Sequence, residues 1–260
     1  MTPFELHQPA SLAEAIALLG GDEAARPLSG GTALMLMMKA GGLRPSRLVS
    51  LGRLSLGKIE TGPDGALHVG AMTTLRALET SAVVRKGWPV IAKALRTLSN
   101  VRVRNVATVG GALAHADPHM DLPPLLAALG ARVVVEGGNG KRTLAVEDLY
   151  AGYLENTLKA GELITQIEVP ALGKRRAAYL KCTTRSADDW PAVGIAVALD
   201  SHESRIFISA AVDKPTRISS AQDLENIKID GDLHGSADYK RQLLRVYLKR
   251  AMNEARNAGH

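Results

Sequence analysis

The chain has 260 residues, 46% of them hydrophobic, and 32 Lys+Arg set against 26 Asp+Glu give it a formal charge of +6. That is enough apolar material for two or three compact units. Cys182 is the single cysteine, which excludes an intrachain disulfide, a cysteine-rich zinc site and an iron–sulfur cluster held by this chain alone, and it points to a cytoplasmic setting. No secretory leader and no long apolar stretch is visible. The basic excess allows an acidic partner, but with only 3% aromatic residues there is no base-stacking platform for nucleic acid. Lys174, Arg175, Arg176, Arg102 and Arg104 read as solvated faces or subunit contacts.

In chain order, residues 4–6 read as a short strand, and Ser11 with Glu14 forms a capping box that opens a helix to residue 19. Residues 26–29 (RPLS) read as a strand that runs into Gly30-Gly31, after which residues 32–39 (TALMLMMK) have helix-forming composition. Met35, Met37 and Met38 fit adaptable core filling better than metal ligation. Residues 47–51 and 58–61 are predicted strands, and Pro63-Asp64-Gly65 turns the second of these into 66–70 as a hairpin. Apolar spacing predicts a helix over 88–98. The approach to the second double glycine, Gly110-Gly111, reads as irregular. A short helix is expected over 121–128, a hairpin from 131–136 and 141–144, and a strand over 163–169 closed by Pro170. Strands then follow in succession at 177–183, 192–199 and 205–212. A polar stretch from 213 to 237 precedes a closing amphipathic helix over 238–255.

Two segments carry chemistry. Glycine has no Cβ, so Gly30-Gly31 and Gly110-Gly111 read either as tight turns or as places where backbone N–H groups face a phosphate at the start of a helix. In HADPHMD, His115, Asp117, His119 and Asp121 alternate as a metal-binding strand would arrange them, yet Pro118 interrupts a regular strand and favours a loop packed on a ligand.

The string NVATVGGALAHADPHMDLPPLLAALGA, with LSGGTALML upstream, resembles the FAD-binding medium subunit of the molybdenum hydroxylases, the xanthine dehydrogenase and carbon monoxide dehydrogenase family. Further matches follow in order: Leu149 to Tyr153 with Thr157 and Leu158, then GELITQIEVP, then Tyr179-Leu180-Lys181 before Arg185. The similarity spans roughly residues 1–200 well and the closing region loosely.

The resemblance implies an α+β protein with a two-lobed FAD-binding (PCMH-type) fold, in lobes of residues 1–57 and 58–170, and a C-terminal α+β domain, residues 171–260, with a small antiparallel sheet and helices. It implies cofactor contacts from Pro27, Leu28, Ser29, Gly30, Gly31, Thr32 and Ala33 in the first loop, and from Thr108, Gly110, Gly111 and His115 around the second. Both double glycines would lie on the pyrophosphate, Asp121 by the ribityl or phosphate region, Lys181 near the isoalloxazine, and Leu98 and Ile167 packed on the cofactor. For Asp121 a helix N-cap, and for Lys181 an ordinary surface lysine, stand as alternatives. Ala112 and Ala33 replace polar residues of many relatives, so a clamp here relies chiefly on main-chain N–H groups.

The implied role is electron transfer through FAD, from 2Fe-2S clusters on a small subunit to an external acceptor. A large molybdopterin subunit would perform the hydroxylation, in a heterotrimer or a dimer of heterotrimers, and no catalytic residue or metal site is expected in this chain. Alternatives are a stand-alone flavoenzyme using His115 or His119 as acid or base, and a basic adaptor whose glycines are only turns.

Overall fold

Alternation of small and large residues along one strand organises the C-terminal half of the molecule. In the computed structural model, which describes residues 2–201 and 203–258, Pro191–Leu199 lies second in a four-stranded antiparallel sheet with Arg176–Thr183, Ser204–Ser209 and Thr216–Ile218. Successive side chains of a strand point to opposite faces. Val193, Ile195 and Val197 therefore pack with Leu244, Leu248 and Ala251 of the long helix Ala237–Asn257. Ala196 and Ala198 face the other way and join the core around the helix Leu122–Ala128. A strand covered on both faces reads as a continuous apolar run, as this one does.

The N-terminal lobe is a three-stranded parallel sheet in the order Glu5–His7, Arg47–Ser50, Ala25–Leu28. Parallel strands need crossovers. The helices Leu12–Gly20 and Leu34–Lys39 provide them. Ser11 caps the first by accepting from Glu14 N at 3.2 Å, while the Glu14 carboxylate accepts from Ala10 N at 2.9 Å.

The second lobe is a five-stranded antiparallel sheet in the order Ile59–Thr61, Leu67–Gly70, Leu163–Val169, Arg132–Gly137, Gly140–Ala145. Short helices are inserted between its second and third strands in sequence. Leu163 of the central strand also packs with Ala15, Leu19, Ala25 and Val49, which joins the two lobes.

Three expectations are corrected. The approach to the second double glycine is the helix Val101–Arg104, and Gly110-Gly111 lies inside the helix Val109–Ala114. The strand expected to reach residue 212 stops at Ser209, where Ala210 turns with φ 65°, and the stretch after it holds the strand Thr216–Ile218 and the helical turn Asp223–Asn226. Arg104 is no solvated residue: it is buried, pairs with Glu79 at 2.9 Å and donates to Leu98 O at 3.2 Å and to Ser99 O. Arg175 likewise spends its guanidinium on chain carbonyls, with Leu129 O at 3.0 Å and Ala171 O at 2.6 Å.

Leu125, on the helix between the two sheets, is fully buried. Leu125→Ala is expected to lower the unfolding free energy by about 2–5 kcal/mol in chemical denaturation, the cost of lost transfer energy plus a cavity. A loss of less than about 1 kcal/mol would contradict this placement.

Candidate functional site

Where the two lobes meet the C-terminal sheet there is a cavity of about 930 Å³, at the upper end of the range for small-molecule and cofactor sites. One wall is the turn between the strand Ala25–Leu28 and the helix Leu34–Lys39, contributing Pro27, Ser29, Gly30, Gly31, Thr32 and Ala33. Thr108, Gly110, Gly111, Leu98, His115 and Asp121 line it from the second lobe. Residues 188–191 close it from the C-terminal sheet.

The two double glycines do different things. In the first turn, Gly31 has φ 70°, a backbone shape that suits glycine. Among the described residues, no partner takes the N–H groups of Gly30, Gly31, Thr32 or Ala33. These are donors left for a ligand. In the second, Gly110 N donates to Ala71 O at 2.8 Å and Gly111 N to Thr108 Oγ1 at 3.1 Å, so the chain already uses both. The second pair therefore departs from the expected picture of N–H groups offered to a phosphate. Its glycines, like Gly30, allow close approach of protein to protein. A Cβ on Gly30 would lie 2.2 Å from Val106 O, one on Gly110 2.6 Å from the Ala71 side chain, and one on Gly111 2.6 Å from Ser29 Oγ.

Behind this wall lies a buried polar cluster. Tyr179 donates to Asp121 Oδ1 at 2.5 Å, and Lys181 Nζ lies 3.0 Å from Asp121 Oδ2. Tyr179 and Lys181 sit two apart on the strand Arg176–Thr183, hence on one face. Burial raises the Asp121 pKa, and the Lys181 ammonium and the Tyr179 hydroxyl draw part of it back down. Burial, helped by Asp121, lifts the Tyr179 pKa well above its ordinary value and keeps its O–H a donor. Asp121 occupies the N-cap position of the helix Leu122–Ala128, but in a helical conformation and with no side-chain capping bond.

Of the expected site residues, Leu28, Ile167 and Lys181 are not in the cavity wall. Leu28 lies under the turn, its Cδ1 3.1 Å from where a Gly31 Cβ would be. Ile167 points into the core of the five-stranded sheet, 1% exposed, while Ile164 and Leu163 of the same strand line the cavity. Lys181 spends its three hydrogens on Asp121, on Thr97 O at 2.8 Å and on Asp189 O at 3.1 Å. It holds the wall from behind.

The HADPHMD segment forms no regular strand. Its Asp117 accepts from His119 Nδ1 at 2.9 Å and from His119 N at 2.8 Å, and His119 Nε2 reaches Asp232 Oδ2 at 2.9 Å. Burial lowers the His115 pKa, partly offset by Asp117. Asp232 and Trp190 had no signal in the sequence, because Asp232 lies 113 residues from its partner.

Tyr179→Phe should cost about 1.5–3 kcal/mol at neutral pH, the value of a hydrogen bond to a buried charge. Because the Asp121 pKa is raised, the penalty should shrink as acid protonates that carboxyl. Denaturant midpoints across pH measure this, and a penalty that stays constant with pH would contradict it.

Residues 2–172 match the family described as FAD binding domain in molybdopterin dehydrogenase. The chain is 30% identical over 277 residues to the glyceraldehyde dehydrogenase medium chain of Sulfolobus acidocaldarius, covering 96% of this chain and 98% of that one. It is 30% identical over 278 residues to the carbon monoxide dehydrogenase medium chain of Hydrogenophaga pseudoflava, covering 97% and 96%. A solved carbon monoxide dehydrogenase from Hydrogenophaga pseudoflava, lacking the Mo-pyranopterin moiety of its cofactor, matches with a TM-score of 0.93 at 32% identity over 98% of each chain. No helix among the described residues is long and apolar enough to cross a membrane. The residues present fit FAD: free N–H groups suit a diphosphate, and Leu98, Met37, Leu163 and Ile164 give the cavity apolar walls for ring systems. The chain belongs to the molybdopterin dehydrogenase family, the molybdenum hydroxylases, as one of its FAD-binding medium subunits.

Proposed function

We propose that this chain is the electron-transfer subunit of a molybdopterin-dependent hydroxylase or dehydrogenase, in which FAD supplies the redox link from 2Fe-2S clusters on a small subunit to an external acceptor. Substrate hydroxylation belongs to a large molybdopterin subunit of the same heterotrimer, or dimer of heterotrimers, with a cytoplasmic location in keeping with a chain of one cysteine. The observation that carries the reading is the turn at residues 30–33, which lines a cavity of cofactor size and leaves its N–H groups unpaired.

In this reading residues 1–57 and 58–170 form the two lobes around the cofactor, and residues 171–260 form the domain that closes it. Gly30, Gly31, Thr32 and Ala33 donate to the diphosphate, and the Thr108 hydroxyl faces it from the second lobe. Asp121 accepts from sugar or ribityl hydroxyls once its own partners allow, with Lys181 and Tyr179 fixing its position. Leu98 gives apolar contact, and Arg104, which holds the carbonyls of Leu98 and Ser99, sets that corner. The protein's part is binding, orientation and electrostatics.

The protein should carry flavin absorption in equal proportion to chain, and the isolated chain should not hydroxylate substrate. Gly31→Val places a β-branched residue at φ 70° and should weaken FAD retention at least about tenfold, or about 1.4 kcal/mol, while cooperative unfolding persists. Unchanged flavin content in a folded Gly31→Val protein would return this loop to being a simple turn.

A further inference from the structure

His119 lies in the cavity wall with a carboxylate on each ring nitrogen: Asp117 Oδ1 is 2.9 Å from Nδ1 and Asp232 Oδ2 is 2.9 Å from Nε2. Ionised carboxylates only accept, so both nitrogens must donate, and only the imidazolium does that. The two carboxylates are themselves ionised. Burial pushes Asp117 up, but the His119 ring and backbone outweigh it and leave its pKa below the ordinary value. Against its own burial, Asp232 is held at about 2 by Lys240 and His119.

The bond spans two parts of the fold. Asp232 belongs to the turn before the helix Ala237–Asn257, where the fully buried Lys240 anchors it at 2.6 Å and also donates to Ala210 O at 2.9 Å. Ala210 N in turn donates to Pro118 O at 2.9 Å, beside His119. Trp190, from the loop after the strand Arg176–Thr183, stacks on the His119 ring at 5.3 Å and 15°. The other titratable groups facing the ring are His115, 3.9 Å from Asp117; His234, tilted against His119 at 5.7 Å; and Asp189, next to Trp190 and within the field of His234.

We propose that His119 is a positioning residue which, as an imidazolium, pins the wall of the cofactor cavity to the C-terminal domain, so that FAD binding is linked to one proton on this ring. The proposal rests on the reading of the cavity as the FAD site. With the ring charged, Asp117, His119, Asp232 and Lys240 sum to zero. Once it loses its proton, the wall carries a net negative charge and one of its two bonds to a carboxylate, which opposes an anionic diphosphate and frees the segment that bears His115 and Asp121.

The direction of the pH effect follows from the ring's surroundings. Burial disfavours the charged ring, but Asp117 and Asp232 outweigh it and hold the pKa above 6.5. A raised folded-state value means that the stabilisation is complete below pH 6.5, the ordinary value, and is lost as pH rises through the folded value.

The test is calorimetric titration of FAD into the deflavinated protein, isolated with its associated subunits, between about pH 6 and 9. Wild-type affinity should fall as pH rises through the His119 pKa, by at most about tenfold per pH unit, the limit for linkage to a single proton, and level off once the ring is neutral with and without FAD. His119→Gln should bind more weakly at the acid end and show no such fall, with the two proteins converging at the alkaline end. Asp232→Asn should move the wild-type midpoint down, and His234→Gln should leave it in place. Tight binding with the same pH profile in wild type and His119→Gln, or loss of the profile in His234→Gln, overturns the pin and leaves the cofactor reading intact. Failure to bind FAD at any pH overturns both.

Discussion

The close approach of neighbouring chain to three glycines is the constraint on which the site depends. Gly30 meets Val106 O and Ala107, Gly111 meets Ser29, and Gly110 meets Ala71, each at a distance no Cβ would tolerate. Gly30 and Gly111 draw the turn of the N-terminal parallel sheet onto the helical insertion of the second lobe, and Gly110 seats that insertion on Ala71. The division of labour is uneven: one turn keeps its N–H groups free, while the other satisfies its own and serves as the seat.

What this seam leaves open, buried polar groups close. Lys181 ties Thr97, Asp121 and Asp189, which lie in three separated stretches of chain, to one ammonium. His119 does the same for residues 115–121, joining them to the turn before the last helix. Such groups are costly to bury unless every donor and acceptor is matched. Their geometry thus fixes how the C-terminal sheet sits on the lobes.

The sequence made the elements legible where local chemistry decides them. Ser11 announced its helix, Leu163–Val169 appeared at its true bounds, and the small-and-large alternation of Pro191–Leu199 was visible as a strand. The helix that contains Gly110 and Gly111 was hidden, because glycine signals turns, and only packing against Ala71 and Ser29 explains it. Arg104 looked solvated because its partner Glu79 is 25 residues away. Most of the cavity wall could be anticipated from motif resemblance. Ile167 could not be separated from Ile164 in that way, since which face of a central strand meets a cavity depends on its neighbours. Lys181 had a foreseeable partner in Asp121, but not the two carbonyls that complete its hydrogen bonds.

The N–H groups of residues 30–33 form the anion-binding part of the cavity in the proposed function. A determined structure of the FAD-loaded protein tests it most directly. Pyrophosphate oxygens are expected within hydrogen-bonding distance, about 2.7–3.2 Å, of N–H groups in that turn. A pyrophosphate lying away from residues 30–33, or FAD bound outside the cavity, would contradict this role.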